Sequence, residues 1–179
     1  MIGFSKRHRR RQIEDAAHEL YVAAVEQARN PDFYLRLGVS DSVDGRFDLL
    51  SLHVFLLLNR LGRGGEDLRP LSQAVFDLMF ADMDQNLREL GVSDIGVGGR
   101  VKTMASAFYG RVSAYEPGLA DAGVLAAGLA RNLYRGSEVP PSVLSAMAAY
   151  VLREAAALAE QADQDIKEGR VRFGAPIAP

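Results

Sequence analysis

The chain has 179 residues, enough for one domain, and 48% of them are hydrophobic, which suits a packed core and excludes a disordered chain. It has no Cys and no Trp, which excludes disulfides, thiolate metal sites and a cysteine nucleophile. The formal net charge is −2, but Lys6, Arg7, Arg9, Arg10 and Arg11 crowd residues 1–11, leaving 16 basic against 23 acidic residues, a net of −7, on the rest.

A basic arm on an acidic body points to phosphate, either of lipid or of RNA. The alternative is a solvated, frayed terminus. No apolar signal core follows the arm before Ile13-Glu14-Asp15, and the acids there argue against a transit peptide. The most apolar run, Leu49 to Leu58, is ten residues long and contains Ser51 and His53. About 18–20 apolar residues are needed to cross a bilayer, so no spanning segment is expected and the protein reads as cytoplasmic.

Ile13, Ala16, Ala17, Leu20, Tyr21, Ala24, Val25 and Ala28 recur at the spacing of one helix face. Asn30-Pro31 stops that helix. A short helix follows from Asp32 to Leu37, ended by Gly38. Val39 to Phe47 reads as a loop, with Asp44 as the cap of a long helix from about Arg46 to Leu61. That helix is apolar around most of its circumference, which places it at the centre of a bundle. Gly62-Arg63-Gly64-Gly65 breaks it, and Pro70 opens the next helix, which Gly91 ends. Val92 to Gly99 reads as a second loop, and Arg100 to Tyr115 as a helix closed by Glu116-Pro117-Gly118. Ala120 to Tyr134 and Ser142 to Lys167 are two further helical runs. The tail after Gly169, with Pro176 and Pro179, is expected to lie extended over the body. No alternating strand pattern is present. The expected fold is all-α, a single-domain bundle of about six or seven helices. It divides into an arm (1–11), a helical body (12–168) and an extended tail (169–179).

Little in the chain suggests bond-breaking chemistry. His8, His18 and His53 do not pair at ligand spacing, and His53 sits within the most apolar helix, where a core histidine bonded to a neighbour is the expectation. Asp82-Met83-Asp84-Gln85-Asn86 resembles the start of a calcium loop but has Leu87 at the turn glycine and Ser93 at the final acid. Gly96-Val97-Gly98-Gly99-Arg100 lacks the residues of a phosphate loop; with Arg100 and Lys102 it suggests at most an anion contact. Arg46 is expected in a buried or half-buried ion pair. No catalytic residue, cofactor or metal is assigned. Met79, Phe80, Met83 and Met104, Phe108, Tyr109 form two Met/aromatic clusters, and Asp82 and Asp84 flank the first. An adaptable groove rimmed by acids suits an apolar client segment with basic flanks.

Several stretches together resemble the ubiquinol–cytochrome c chaperone family. They are Asp44-Gly45-Arg46-Phe47-Asp48-Leu49-Leu50-Ser51-Leu52-His53-Val54-Phe55-Leu56, Phe76-Asp77 through Asp82-Met83-Asp84, Leu87-Arg88-Glu89-Leu90-Gly91-Val92-Ser93-Asp94, Val97-Gly98-Gly99-Arg100-Val101-Lys102 and Ala107-Phe108-Tyr109-Gly110-Arg111. The resemblance covers roughly residues 10–173. Gly99 departs from it, standing where the family usually has a base. It implies a non-enzymatic helical assembly chaperone for the cytochrome bc1 complex, binding newly made cytochrome b or another bc1 subunit. Mitochondrial relatives also work with a small partner subunit and the ribosome. No DNA and no small-molecule substrate is implied. The expected partner surface is Asp44, Gly45, Arg46, Phe47, Phe80, Asp82, Met83, Asp84, Arg88, Arg100, Lys102, Met104, Phe108 and Tyr109. Lys6 to Arg11 would hold the chain near the cytoplasmic face of the inner membrane or near RNA. A lipid- or haem-binding carrier, with His53 lining its pocket, is the alternative.

Overall fold

The computed structural model describes residues 2–179, with side chains from Arg7 onward. Its elements are α1 (Ile2–Ala28), α2 (Asp32–Leu35), α3 (Val43–Arg63), α4 (Arg69–Glu89), α5 (Asp94–Tyr115), α6 (Ala122–Asn132), α7 (Pro141–Glu160) and α8 (Asp163–Lys167), with short 3-10 turns at Gly65–Asp67 and Pro117–Leu119. The described residues form one all-α bundle, in which six helices have eleven residues or more.

The centre is α3. Leu49, Leu52, Val54, Phe55, Leu56 and Leu57 point to every side of it and all are buried. It therefore needs cover all round, and α1, α4, α5 and α7 supply it. Helices α1 and α4 lie side by side. Ile13 lines one cavity with Leu68 and Leu71 near one end, and Tyr21 bonds Asp82 further along, so the two run in the same direction. Helix α6 packs on α5 and α7.

Helix α3 begins earlier than the sequence suggests. Ser42, not Asp44, is its cap: the Ser42 hydroxyl accepts the Gly45 N–H at 3.1 Å. Gly45 is required here, because a Cβ would overlap the Ser40 carbonyl oxygen. The basic segment is not a separate arm but the first turns of α1. Arginine and lysine are good helix formers, and Arg10 pairs with Glu14 one turn on, at 2.7 Å.

Two further boundaries differ. The glycine-rich stretch expected as a loop lies inside α5, which begins at Asp94. Val97 is buried there, and an Arg88–Asp94 ion pair spans the α4–α5 turn, so tertiary contacts override the low helix propensity of glycine. The run expected as one helix from Ser142 to Lys167 breaks at Gln161-Ala162, which are extended. Buried Arg60 of α3 explains the break: its guanidinium donates to the Leu158 and Gln161 carbonyl oxygens at 2.8 and 2.7 Å and to Asp163 at 2.5 Å. It thereby satisfies carbonyls that a helix end leaves open.

Helix α7 is long and apolar enough on composition to cross a bilayer, contrary to the expectation that no segment is. In the bundle its Met147, Tyr150, Val151 and Glu154 are buried, and it packs on α3 and α6. Residues 170–179 carry no regular structure. The Arg172 N–H donates to the Gln161 side chain at 3.0 Å, and the Gly174 N–H to Glu154 at 2.8 Å.

Candidate functional site

An apolar groove of about 370 Å³ is lined by residues of α1, α2, α3, α4 and α5 and of the turns that follow α1 and α4. Val25, Ala28 and Arg29 form the α1 wall, and Val43, Arg46, Phe47 and Leu50 the α3 wall. Asp82, Met83, Asn86, Leu87, Glu89 and the capping residue Leu90 form the α4 wall. Tyr34 of α2 and Met104 of α5 complete the lining. Apolar atoms dominate, and the volume lies within the usual range of ligand pockets. Val43 and Leu90 at its rim are 73% and 68% exposed. Nearby in sequence, Leu35 and Ile95 are also exposed. Large apolar residues exposed around an apolar groove mark a binding surface better than scattered ones do.

Five of the residues expected to bind a partner line this groove: Arg46, Phe47, Asp82, Met83 and Met104. Met83 is buried in the α4 wall, whereas Met104 remains half-buried. Asp82 accepts the Tyr21 hydroxyl at 2.7 Å. Burial, then the Asp82 carboxylate, pushes the Tyr21 pKa upward, so the phenol stays a donor. Arg46 is exposed, not buried: it binds Asp41 at 2.7 Å and lies over the Tyr34 ring at 5.7 Å.

The buried ion is instead Asp48, just inside α3. It is fully buried and accepts from Arg111 of α5 and from Arg135 Nε at 2.6 Å. Arg135 also reaches exposed Asp44 at 2.9 Å. The Arg111 guanidinium lies over the Phe47 ring at 5.4 Å. The ion cluster thus braces a groove wall from behind. Arg135 has a φ of 53°, a left-handed conformation that costs a non-glycine residue about 1 kcal/mol or more.

The remaining expected residues do not line the groove. Phe80 and Phe108 join Phe76 and Tyr109 in an aromatic cluster between α4 and α5, with centroids 4.7 Å apart for Phe76–Phe80 and 5.6 Å for Phe76–Tyr109. Phe108 is sealed, while Tyr109 is 56% exposed. Asp84 binds Arg88 at 2.6 Å, and Arg88 also binds Asp94, so this trio staples the α4–α5 turn. Gly45 is buried against Ser40, and Arg100 and Lys102 are exposed on the early turns of α5. With the glycines helical, no loop remains there to cradle an anion. On α1, Arg7, Arg9, Arg10 and Arg11 are exposed, while the side chain of Lys6 lies outside the described residues.

His53 is not in the groove. Its Nδ1–H donates to the Leu49 carbonyl at 2.8 Å, which leaves Nε2 to accept the Tyr150 hydroxyl at 2.8 Å. Gln27 in turn donates to Tyr150 at 2.9 Å. Burial pushes the His53 pKa down to about 4. With both nitrogens engaged, the ring has no lone pair for a haem iron. Among the described residues there is no group of three or more His, Asp or Glu placed to hold a metal ion.

Val25, Ala28, Arg29, Tyr34, Val43, Leu50, Asn86, Leu87, Glu89 and Leu90 also line the groove, outside the partner surface expected from the sequence. Val25, Ala28, Leu87 and Leu90 follow helical spacing and read as core, while Arg29, Tyr34, Val43 and Glu89 sit at or next to helix ends, where periodicity carries little signal.

A profile of the ubiquinol-cytochrome C chaperone family matches residues 35–173. A Xenopus laevis protein named ubiquinol-cytochrome-c reductase complex assembly factor 1 is 25% identical over 143 residues, 79% of this chain and 72% of its own length. The Mus musculus protein of that name is 27% identical over 163 residues, 90% of this chain and 55% of its own length. The chain therefore spans about half to three quarters of these relatives. A crystal structure of the Cbp3 homolog from Brucella abortus superposes with a TM-score of 0.86 at 37% identity, covering 98% of this chain and 97% of that one. The groove and its bracing ion cluster are thus features of a chain that belongs to the ubiquinol–cytochrome c chaperone family.

Proposed function

We propose that this chain is an assembly chaperone for the ubiquinol–cytochrome c reductase (cytochrome bc1) complex, holding an apolar segment of newly made cytochrome b, or of another bc1 subunit, in the groove. The observation that carries the reading is the apolar groove with Val43 and Leu90 exposed at its rim. A holding factor needs apolar surface that stays open to a client instead of closing into its own core. The names of the relatives describe assembly of the reductase, not catalysis. The exposed bases on the first turns of α1 support attachment to an anionic surface, the cytoplasmic face of the inner membrane or ribosomal RNA. Each cation near an anionic membrane contributes about 1 kcal/mol, and salt weakens the attachment.

The test combines a deletion strain with a groove variant. Deletion lowers cytochrome b and bc1 activity selectively. Val43→Asp with Leu90→Asp alters exposed positions only, so helicity stays unchanged while cytochrome b no longer co-purifies. Normal bc1 levels in the deletion strain would refute the role, and undiminished capture by the variant would remove the groove from it. The haem-carrier alternative loses its axial ligand in the bonded His53 and gains no support from the groove.

A further inference from the structure

The charges in the groove are segregated by wall. Both cations, Arg29 and Arg46, come from α1 and α3, whereas both acids, Asp82 and Glu89, come from α4. Asp82 is occupied by Tyr21, and Arg46 by Asp41. Glu89 accepts only the Gln85 amide, at 2.9 Å, and among the described residues Arg29 has no ion-pair partner. Both Arg29 and Glu89 are exposed. One wall thus offers a cation and the other a carboxylate, neither engaged in an ion pair among the described residues.

The walls also select the backbone form of an occupant. They are built from helices, whose N–H and C=O groups are already paired. Past the end of α1 the Arg29 N–H is paired with the Val25 carbonyl, and after α4 the Val92 N–H is paired with the Leu87 carbonyl. An extended segment would therefore find no ladder to join and would leave its own backbone unpaired against an apolar surface. A helix brings its backbone already satisfied.

We propose that the groove takes an amphipathic helical segment with bases along one flank of its apolar stripe and acids along the other, and that Arg29 and Glu89 fix the direction in which this helix lies. This rests on the holding role proposed above and goes beyond it. Turning such a helix end for end exchanges its flanks, so in one direction bases meet Glu89 and acids meet Arg29, and in the other both contacts are repulsive. Exposed charge pairs change affinity by no more than about fivefold each. Direction, not affinity, is therefore the sensitive readout.

Two synthetic helical peptides of about 15 residues test this, long enough to hold a helix when bound. Both carry the same leucine stripe, and one has Lys and Glu on opposite flanks from the other. A photo-crosslinker at the N-terminus of each reports which end of the groove it reaches, the Val25–Asp82 end or the Leu90 end. The two peptides are expected to crosslink at opposite ends. In the variant Arg29→Glu with Glu89→Arg, the two positions exchange. Crosslinks at the same end for both peptides, or no exchange in the variant, overturn the direction-setting role while leaving the holding role intact. If neither peptide binds, and a third bearing only the leucine stripe also fails, the groove itself is not the binding site and both readings fall.

Discussion

Helices α3 and α5 are almost equal in length but opposite in surroundings. Thirteen of the 21 residues of α3 are buried, including Asp48, Ser51, His53 and Arg60. Only four of the 22 residues of α5 are buried: Val97, Phe108, Arg111 and Tyr115. Between Val97 and Phe108 no side chain of α5 is fully covered, and it is from this stretch that Met104 enters the groove. The central helix is fixed by burial on all sides and by Asp48, His53 and Arg60, each bonded to a partner across the bundle. The outer helix is held mainly at its two ends and leaves its middle to form a wall. A chaperone needs both: a scaffold that stays folded while surface is exposed, and a surface not already consumed by the scaffold.

The sharpest way to break this contrast is at Asp48. Asp48→Ala would leave the buried Arg111 guanidinium without its counter-ion. Removing one partner of a buried pair typically costs roughly 3–5 kcal/mol, because the other charge stays desolvated. The urea midpoint should fall accordingly, and Phe47 should lose its backing, so client capture falls with stability. Asp44→Ala, at an exposed carboxylate on the same Arg135, should move the midpoint little. Equal effects of the two substitutions would show that burial is not what gives the cluster its weight.

His53 probes the same core by pH. Its folded pKa of about 4 lies below the ordinary value near 6.5, so the unfolded chain binds the proton more readily. The stability tied to neutral His53 is complete above about pH 6.5 and is lost as pH falls from there towards 4, by about 3 kcal/mol in total. Unfolding followed between pH 4 and 7 should show that slope, and His53→Gln should flatten it. A slope that survives the substitution would assign it to the carboxylates.

The parts of this architecture that the sequence displayed are those governed by local pattern. The apolar faces of α1, α3 and α4 follow helical spacing, so Leu20, Leu52 and Val75 could be read as core directly from periodicity. The break between α7 and α8 could not, because its cause is Arg60, about a hundred residues away. The glycines of α5 mislead for a related reason. They lower helix propensity locally, while Val97 and the Arg88–Asp94 pair decide the outcome through contacts. In the groove, Met83 and Met104 stood out as methionines among polar or small neighbours. Arg29 and Val43 sit at helix ends, where the periodic signal is weak, and only packing brings them together with Leu90. Asp48 read as an ordinary first-turn acid because the two arginines that bury it lie in distant segments.

The smallest effect expected, and the most direct on the α3–α5 contrast, concerns Gly98 and Gly99. Both are helical and exposed, and a Cβ at either would meet nothing within 4 Å. Alanine fits each without strain, and in an exposed helix interior the exchange is worth about 0.5–1 kcal/mol per site. Because these turns bury so little, that gain should appear mainly as slower amide exchange across residues 94–104, with the exchange of α3 unchanged. If protection rose equally in α3, the two helices would open as one cooperative unit, and the idea of a groove wall with its own lower stability would fail.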